Sequence, residues 1–558
     1  MKLSRIAILV CCAAVAAIAQ PVINTGGVVN AASYSLAGEP NSSIAQGSMF
    51  TLFGSNFAPV TDAPVRASSF PLPTSAGLDG VTVTITVGNI TRNGILLWVW
   101  NKGNTTGGWE SALSAILPFD VPVGTGSITV TYQGVNSNSA PLTVVASSFG
   151  IFTINEAGSG PAIVTDINHT SGPYQVLTPT NVASTGDNLT IWGTGLGAYA
   201  ENYDETNPPP GGLNVESLVN ATVYVGTTPV VPSYAGHSGS YPALDQINFV
   251  LPPDISGCYV PISVAIGNTV SNFGTIAVNS NASGSPAGCS DPFGYSAQDL
   301  GILKTKGSFN FGVIELQRAA VPANNAVTNQ DQALAYFETI KAASLSSTPS
   351  PLGVASNNSC IVQQFTGGAP LPPFVGGGLD AGSNISVTGP KTSAKLAETT
   401  VGQYFVATTT GLFPAGFLDT TGTYTFAGTG GADVGSFSAP VTFPLSNSIT
   451  WTNQSLTTID RTKSQEIDWT GGGANNGVEI IGASYTGNNS TSPGAEFACF
   501  TTATAGKFTI PAFVLEALPA GTGNIEVFQF ALDSFTAPGL DKGFTVASVA
   551  TQANVTFQ

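Results

Sequence analysis

Gly47-Ser48-Met49-Phe50-Thr51-Leu52-Phe53-Gly54-Ser55 and Gly186-Asp187-Asn188-Leu189-Thr190-Ile191-Trp192-Gly193-Thr194 are two copies of one pattern. Each reads Gly, two residues, an apolar residue, Thr, an apolar residue, an aromatic, Gly, then Ser or Thr. The offset between them is 139 residues. A second echo follows at an offset of 134: Leu117-Pro118 matches Leu251-Pro252, Ile128 matches Ile262, Val130 matches Val264, Ser137-Asn138 matches Ser271-Asn272 and Val144 matches Val278. Two blocks in the same order indicate a tandem domain duplication. Around them, apolar residues recur two apart, as at Val81, Val83, Ile85 and Val87, with Pro and Gly between the runs. That is the period of half-buried strands, and strands without helices between them indicate β-sandwiches.

The expected organisation is a leader over 1–19, a first immunoglobulin-like repeat over 20–153, a second over 154–288 and a β-rich region over 289–558, with a division near 445. The leader reading rests on Lys2 and Arg5, the apolar run Ile6 to Ala17 and the small-x-small site Ala17-Ile18-Ala19. Cys11 and Cys12 lack the small residue that lipidation needs just before them, and no later run is long enough to span a membrane. In the third region the expected helix runs from Asp331 to Ala343, capped by Thr328 or Asn329, because Leu334, Phe337 and Ile340 sit at helical spacing. Short strands are expected at 385–387, 424–426, 449–451, 466–469, 478–481, 508–510 and 525–528. The fold class is therefore all-β, tandem sandwiches followed by a β-rich region with one helix.

Charged residues are only 8% of the 558, and the net charge is −17. So few cations argue against nucleic acid and against anionic membrane surfaces. Four cysteines follow the leader, and an even number in an exported chain points to two disulfides with three possible connectivities. Cys258–Cys289 with Cys360–Cys499 keeps each pair within or at the edge of one expected domain. No CxxC or HxxxH spacing supports zinc, and no cofactor is implied.

The opening Val29-Asn30-Ala31-Ala32-Ser33-Tyr34, the Gly-x-x-φ-Thr-φ-aromatic-Gly pattern, Pro71-Leu72-Pro73-Thr74, Gly150-Ile151-Phe152-Thr153 and Asp245-Gln246-Ile247-Asn248 with Leu251-Pro252 carry a resemblance. Together they resemble a secreted immunoglobulin-like repeat, distantly like IPT/TIG domains, that is expanded in Solibacter-type Acidobacteria. It covers roughly residues 24–280. The resemblance implies export and a sandwich fold, and it brings no catalytic residues. Ile449-Thr450-Trp451-Thr452-Asn453 and Trp469-Thr470-Gly471-Gly472 resemble a module of the same exported proteins.

Candidate chemistry is sparse. There are two histidines, His169 in an expected linker turn and His237 in an expected loop beside Ser238, and no G-x-S-x-G elbow. Gly378-Leu379-Asp380-Ala381-Gly382 and Gly539-Leu540-Asp541-Lys542-Gly543 offer one Asp each, too few for calcium, and Asp204-Glu205 lacks the spacing of a calcium loop. Trp98, Trp100 and Trp109 are the candidate ligand-binding residues, since aromatic faces stack on sugar rings; packing in a core or against a neighbouring domain is the competing role. The expectation is a non-catalytic exported protein, in the periplasm, at the cell surface or outside the cell, that binds extracellular polysaccharide or another surface protein. A secreted polysaccharide hydrolase and a structural spacer are the alternatives.

Overall fold

The computed structural model describes residues 19–103, 109–167, 175–197, 203–279, 288–291, 294–323, 326–342, 355–365, 377–445, 447–487 and 492–558. The expected leader up to residue 18 and His169 lie outside them. The described chain is all-β: two β-sandwiches in tandem, then a β-rich region built on one large sheet.

In the first sandwich one sheet has the strand order Val22–Asn30, Met49–Ser55, Ser111–Ile116, Ile95–Asn101, Val65–Arg66. The facing sheet runs Ile44–Ala45, Ala140–Val145, Gly124–Tyr132, Val81–Val87, Ile90–Asn93. Phe50, Leu52, Val83, Ile85, Leu96, Val99, Leu113 and Ile128 close the core between them.

The second sandwich repeats this plan in its main strands. Met49–Ser55 pairs with Ser111–Ile116 from Met49↔Ile116 to Gly54↔Ser111. Asn188–Thr194 pairs with Asp245–Val250 from Asn188↔Val250 to Gly193↔Asp245. The strand of the first echo and the strand that leads into the second are thus neighbours held in the same register in both copies. Gly54 and Gly193 are needed for close approach: a methyl on either would overlap a backbone oxygen of the adjoining strand, of Val22 or Gly150, and a ring, of Phe57 or Phe149.

Ser137-Asn138 and Ser271-Asn272 form the same hook. The Val130 and Val264 amides donate to the Ser137 and Ser271 hydroxyls at 3.0 and 2.9 Å. The Asn138 side chain accepts the Ile23 N–H at 2.8 Å and donates to the Ile23 carbonyl at 3.1 Å. Asn272 does the same to Ile151 at 2.7 and 2.9 Å. Each asparagine acts as one extra residue of strand, tying the first strand of its sandwich to the opposite sheet.

The sandwiches are stitched together. Buried Asn30 accepts the Ala32 and Ser33 amides and donates to the Ser148 carbonyl at 3.1 Å. Asn41 donates to Phe149, and the Met49 amide donates to the Thr194 hydroxyl at 3.0 Å. The Val29–Tyr34 opening is therefore a junction motif.

The third region corrects the helix expectation. Ala326–Lys341 is a strand, paired along its length with Ser308–Ala323 and also with Gln403–Val406. Asp331, Ala333, Ala335 and Phe337 are buried on one face, while Leu334 and Tyr336 are half-buried on the other. With apolar residues on both faces, the spacing of 334, 337 and 340 imitates a helical stripe. Among the described residues the helices are Glu216–Val219, Ala297–Lys306 and Ala512–Glu516. Ala297–Lys306 starts at Ser296, whose side chain and Asp299 form a capping box, and stops at Gly307 in the left-handed region.

The expected strands at 385–387, 424–426, 466–469, 478–481, 508–510 and 525–528 all lie in strands. Of 449–451, Thr450–Trp451 is a strand. The large sheet contains strands from both sides of residue 445, with separate cores around Trp451, Trp469 and Phe497 and around Phe337, Tyr404 and Phe426. Disulfides join Cys258 to Cys289 and Cys360 to Cys499, the latter between register partners on adjacent strands. The region docks on the second sandwich through Phe513, which stacks on Tyr224 with ring centroids 3.7 Å apart.

Candidate functional site

Strand Ile95–Asn101 carries two of the three candidate tryptophans, and a bulge decides where they point. Leu96 pairs with Ala115, but Trp98 pairs with Ser114, so Leu97 is the extra residue. In an unbroken strand Trp98 and Trp100 would share Leu96's face, which is the sandwich core. The bulge reverses the alternation. Leu96 and Val99 stay fully buried, and Trp98 and Trp100 stand half-buried on the outer face of the sheet.

Trp98 borders a groove of about 390 Å³ between the sandwiches. Its walls include Tyr34, Thr51, Arg66, Trp98 and Ser114 from the first sandwich and Thr153, Glu156 and Tyr241 from the second. Arg66 is the register partner of Trp98 and is exposed. Burial raises the Tyr34 and Tyr241 hydroxyls; Glu156 adds to the first shift, and Arg66 offsets the second. The groove therefore presents aromatic rings, hydroxyls, a guanidinium and one carboxylate. Trp98 also packs against an apolar cluster of Met49, Leu72 and Ala243 at the junction, the packing role weighed against ligand contact.

Trp100 and Trp109 lie elsewhere on the same face. Their rings meet edge to face at 5.5 Å, and Trp109 continues to Phe53 at 5.8 Å and on to Tyr34 at 6.1 Å. Trp100 Nε1 donates to the Thr61 carbonyl at 2.9 Å, and Lys102 Nζ sits 3.8 Å above the Trp109 ring. The structure brings Trp100 and Trp109 together as a half-buried strip. It joins them to the Trp98 groove through Tyr34 rather than by direct contact.

His237 is not in a loop. It ends the strand Tyr234–His237, is 2% exposed, and pairs through Nδ1 with Asp245 Oδ1. Its Nε2 faces the Gly197 carbonyl at 3.1 Å, so that nitrogen carries a proton. Asp245 Oδ2 accepts the Gly195 and Leu196 amides at 2.7 and 2.8 Å. Burial pushes His237 down to about 3 and Asp245 up to about 8. In a serine hydrolase Nε2 would face the nucleophile. Here it faces backbone, and Ser238 Oγ bonds Ser240 Oγ at 2.6 Å instead.

The weak metal candidates are structural turns. Asp204 caps Thr206 and Asn207, and Glu205 accepts the Phe119 amide at 3.0 Å across the sandwich junction, where burial raises it to about 8. Asp380 accepts the Gly382 and Ala432 amides, and Asp541 accepts the Asn310 amide. Among the described residues no three His, Cys, Asp or Glu side chains are grouped to hold a metal.

Sequence reasoning missed a row of carboxyls on the large sheet. Glu479 opposes Phe528, Glu526 opposes Ile481 and Glu496 opposes Ala483, all on the face away from Val478 and Ile480. Burial pushes Glu479 up to about 8 and Glu496 to about 7, with neighbouring glutamates adding to both. Each glutamate alternates with core residues on its strand; only the register reveals that they meet.

The chain matches no protein-family model and no curated protein. Among solved structures it is similar to the S-layer protein rSbsC(31-844), at 10% identity over 95% of this chain and 54% of that one, with a TM-score of 0.20. It is also similar to Bacteroides ovatus SGBP-B of a mixed-linkage glucan utilization locus, in complex with a mixed-linkage heptasaccharide, at 13% identity over 54% of this chain and 69% of that one, TM-score 0.19. A third is the I-band fragment I67-I69 from titin, at 8% identity over 68% and 97%, TM-score 0.11. The chain spans about half the length of the S-layer protein. At TM-scores this low the likenesses carry no functional information; the fold class stands on strand order and register.

Proposed function

We propose that the chain is a non-catalytic, exported modular protein, organised as repeats over 20–153 and 154–288 and a region over 289–558, that binds extracellular polysaccharide in the groove between the repeats. The observation that carries this reading is the bulge at Leu97. A bulge that removes two tryptophans from a core costs buried apolar area, and the return is an aromatic face beside Arg66, Thr51 and Thr153. Aromatic stacking flanked by hydroxyl-bonding side chains suits a sugar chain. The disulfides fit an oxidising compartment outside the cytoplasm.

The runner-up hydrolase needs two carboxylates facing a cleft. The groove has Glu156 alone, and a second cavity, at the meeting of the sandwiches and the large sheet, has none. Glu479 and Glu496 are raised by burial but line neither of these cavities. The interlocked Asn30, Asn41 and Thr194 favour a rigid spacer, a role compatible with binding.

The test is retention of the full chain on a panel of insoluble polysaccharides, wild type beside Trp98→Ala at matched thermal stability. Retention lost in the variant supports the groove. Retention unchanged in the variant moves the site elsewhere, and release of soluble sugar establishes the hydrolase.

A further inference from the structure

Resting on the polysaccharide reading, we infer that the groove takes an anionic polysaccharide, one whose sugars carry carboxylates. Residues 20–288 contain only three Lys or Arg side chains, Arg66, Arg92 and Lys102, against fourteen Asp and Glu. Arg92 is committed: its Nε pairs with Asp120 at 2.7 Å, and its strand Ile90–Asn93 belongs to the opposite sheet. Arg66 and Lys102, the two that remain, both sit on the aromatic face. Arg66 stands beside Trp98 as its register partner, and Lys102 lies over Trp109. Among the described residues neither makes an ion pair with a side chain.

This placement opposes the general charge of the module. An acidic surface repels a polyanion at long range, so cations matter only where they are close and unneutralised. Arg66 provides that at the groove: a planar guanidinium beside an indole offers a fork for a carboxylate while the sugar ring stacks. Glu156, on the opposite wall next to Tyr34, is placed to accept hydrogen bonds from sugar hydroxyls. Lys102 extends the cationic line along the Trp100–Trp109 strip, so that successive acidic sugars meet successive cations.

Affinity electrophoresis of the full chain in gels containing polygalacturonate or alginate, beside their carboxyl-reduced, neutral counterparts, tests this. The expected result is retardation by an acidic polymer that falls at least tenfold in its reduced form, falls similarly for Arg66→Gln, and weakens as salt is raised from about 50 to 500 mM. Equal retardation by acidic and neutral forms, lost in Trp98→Ala, would overturn the anionic ligand and leave the polysaccharide reading standing. No retardation by any polymer, acidic or neutral, would overturn both.

Discussion

His237 occupies in the second sandwich the position of Asn101 in the first. Asn101 pairs across its sheet with Ser111, and His237 with Asp245, 134 residues on from Ser111. Asn101 Nδ2 donates to the Ala58 carbonyl at 2.7 Å; His237 Nε2 faces the carbonyl of Gly197, 139 residues on from Ala58. Ser111 Oγ accepts the Phe57 amide and Asp245 Oδ2 the equivalent Leu196 amide. The buried His–Asp pair therefore does the structural work that an Asn–Ser pair does in the other copy. Asp245→Ala, which strands a buried imidazole and two amides, is expected to destabilise the second sandwich by about 3 kcal/mol. The double change His237→Asn with Asp245→Ser is expected to recover most of that loss in a denaturant titration.

The same pair sets a pH dependence. Folded, with His237 near 3 and Asp245 near 8, it holds one proton between Nδ1 and Oδ1 in addition to the one on Nε2. Unfolded, ordinary values of about 3.9 for Asp and 6.5 for His give the same proton count between those two pH values. Above about 6.5 the unfolded pair releases a proton that the folded pair keeps until about 8, so stability falls across that window, by about 2 kcal/mol. Below about 3.9 the unfolded pair takes up a proton that the folded pair refuses, and stability falls again. Glu205 and Glu479, raised to about 8, add losses of the same sign as pH rises from about 4.3. The measurement is thermal unfolding between pH 5 and 9: the wild type loses stability toward pH 8, and the His237→Asn, Asp245→Ser protein loses less.

The asparagine hooks are expected to be unequal. Asn138→Ala removes two hydrogen bonds to Ile23, which costs about 1–2 kcal/mol. Asn272 also donates to the Gly158 carbonyl at 2.9 Å, so Asn272→Ala should cost about 1 kcal/mol more. Equal midpoints in urea for the two variants would contradict the assignment.

Gly54→Ala and Gly193→Ala place a methyl against backbone and a phenylalanine ring in both copies. Each is expected to destabilise its sandwich by at least about 2 kcal/mol. A destabilisation no larger than that of an exposed Gly301→Ala control, where no atom lies within 4 Å and φ is not left-handed, would show that the strands can part at little cost.

Reduction separates the disulfides by loop length. Closing 31 residues contributes about 4 kcal/mol and closing 139 about 5 kcal/mol as upper values. Cys360→Ala/Cys499→Ala should therefore lower the unfolding temperature of the large sheet more than Cys258→Ala/Cys289→Ala does.

The duplication was legible because Gly54 and Gly193, Ser137 and Ser271, and Asn138 and Asn272 each meet a geometric demand that few other residues satisfy. The strand Ala326–Lys341 was not, because a central strand buries both faces and its alternation vanishes. The helix Ala297–Lys306 was available in Ser296-x-x-Asp299, Leu300, Leu303 and Gly307, a capping box, an apolar stripe and a glycine stop. Trp98 and Trp100 were picked out by residue type, but their outward direction depends on a bulge that no spacing in the sequence announces. The carboxyl row of Glu479, Glu496 and Glu526 depends on register across three strands separated in the chain.

Hydrogen–deuterium exchange of the full chain with and without soluble acidic and neutral polysaccharides tests whether the groove between the repeats is the binding site. Protection is expected at residues 31–34, 97–101, 152–156 and 241, with an acidic polymer and in the wild type but not in Trp98→Ala. Protection confined to the large C-terminal sheet, or none with any polymer, would contradict it.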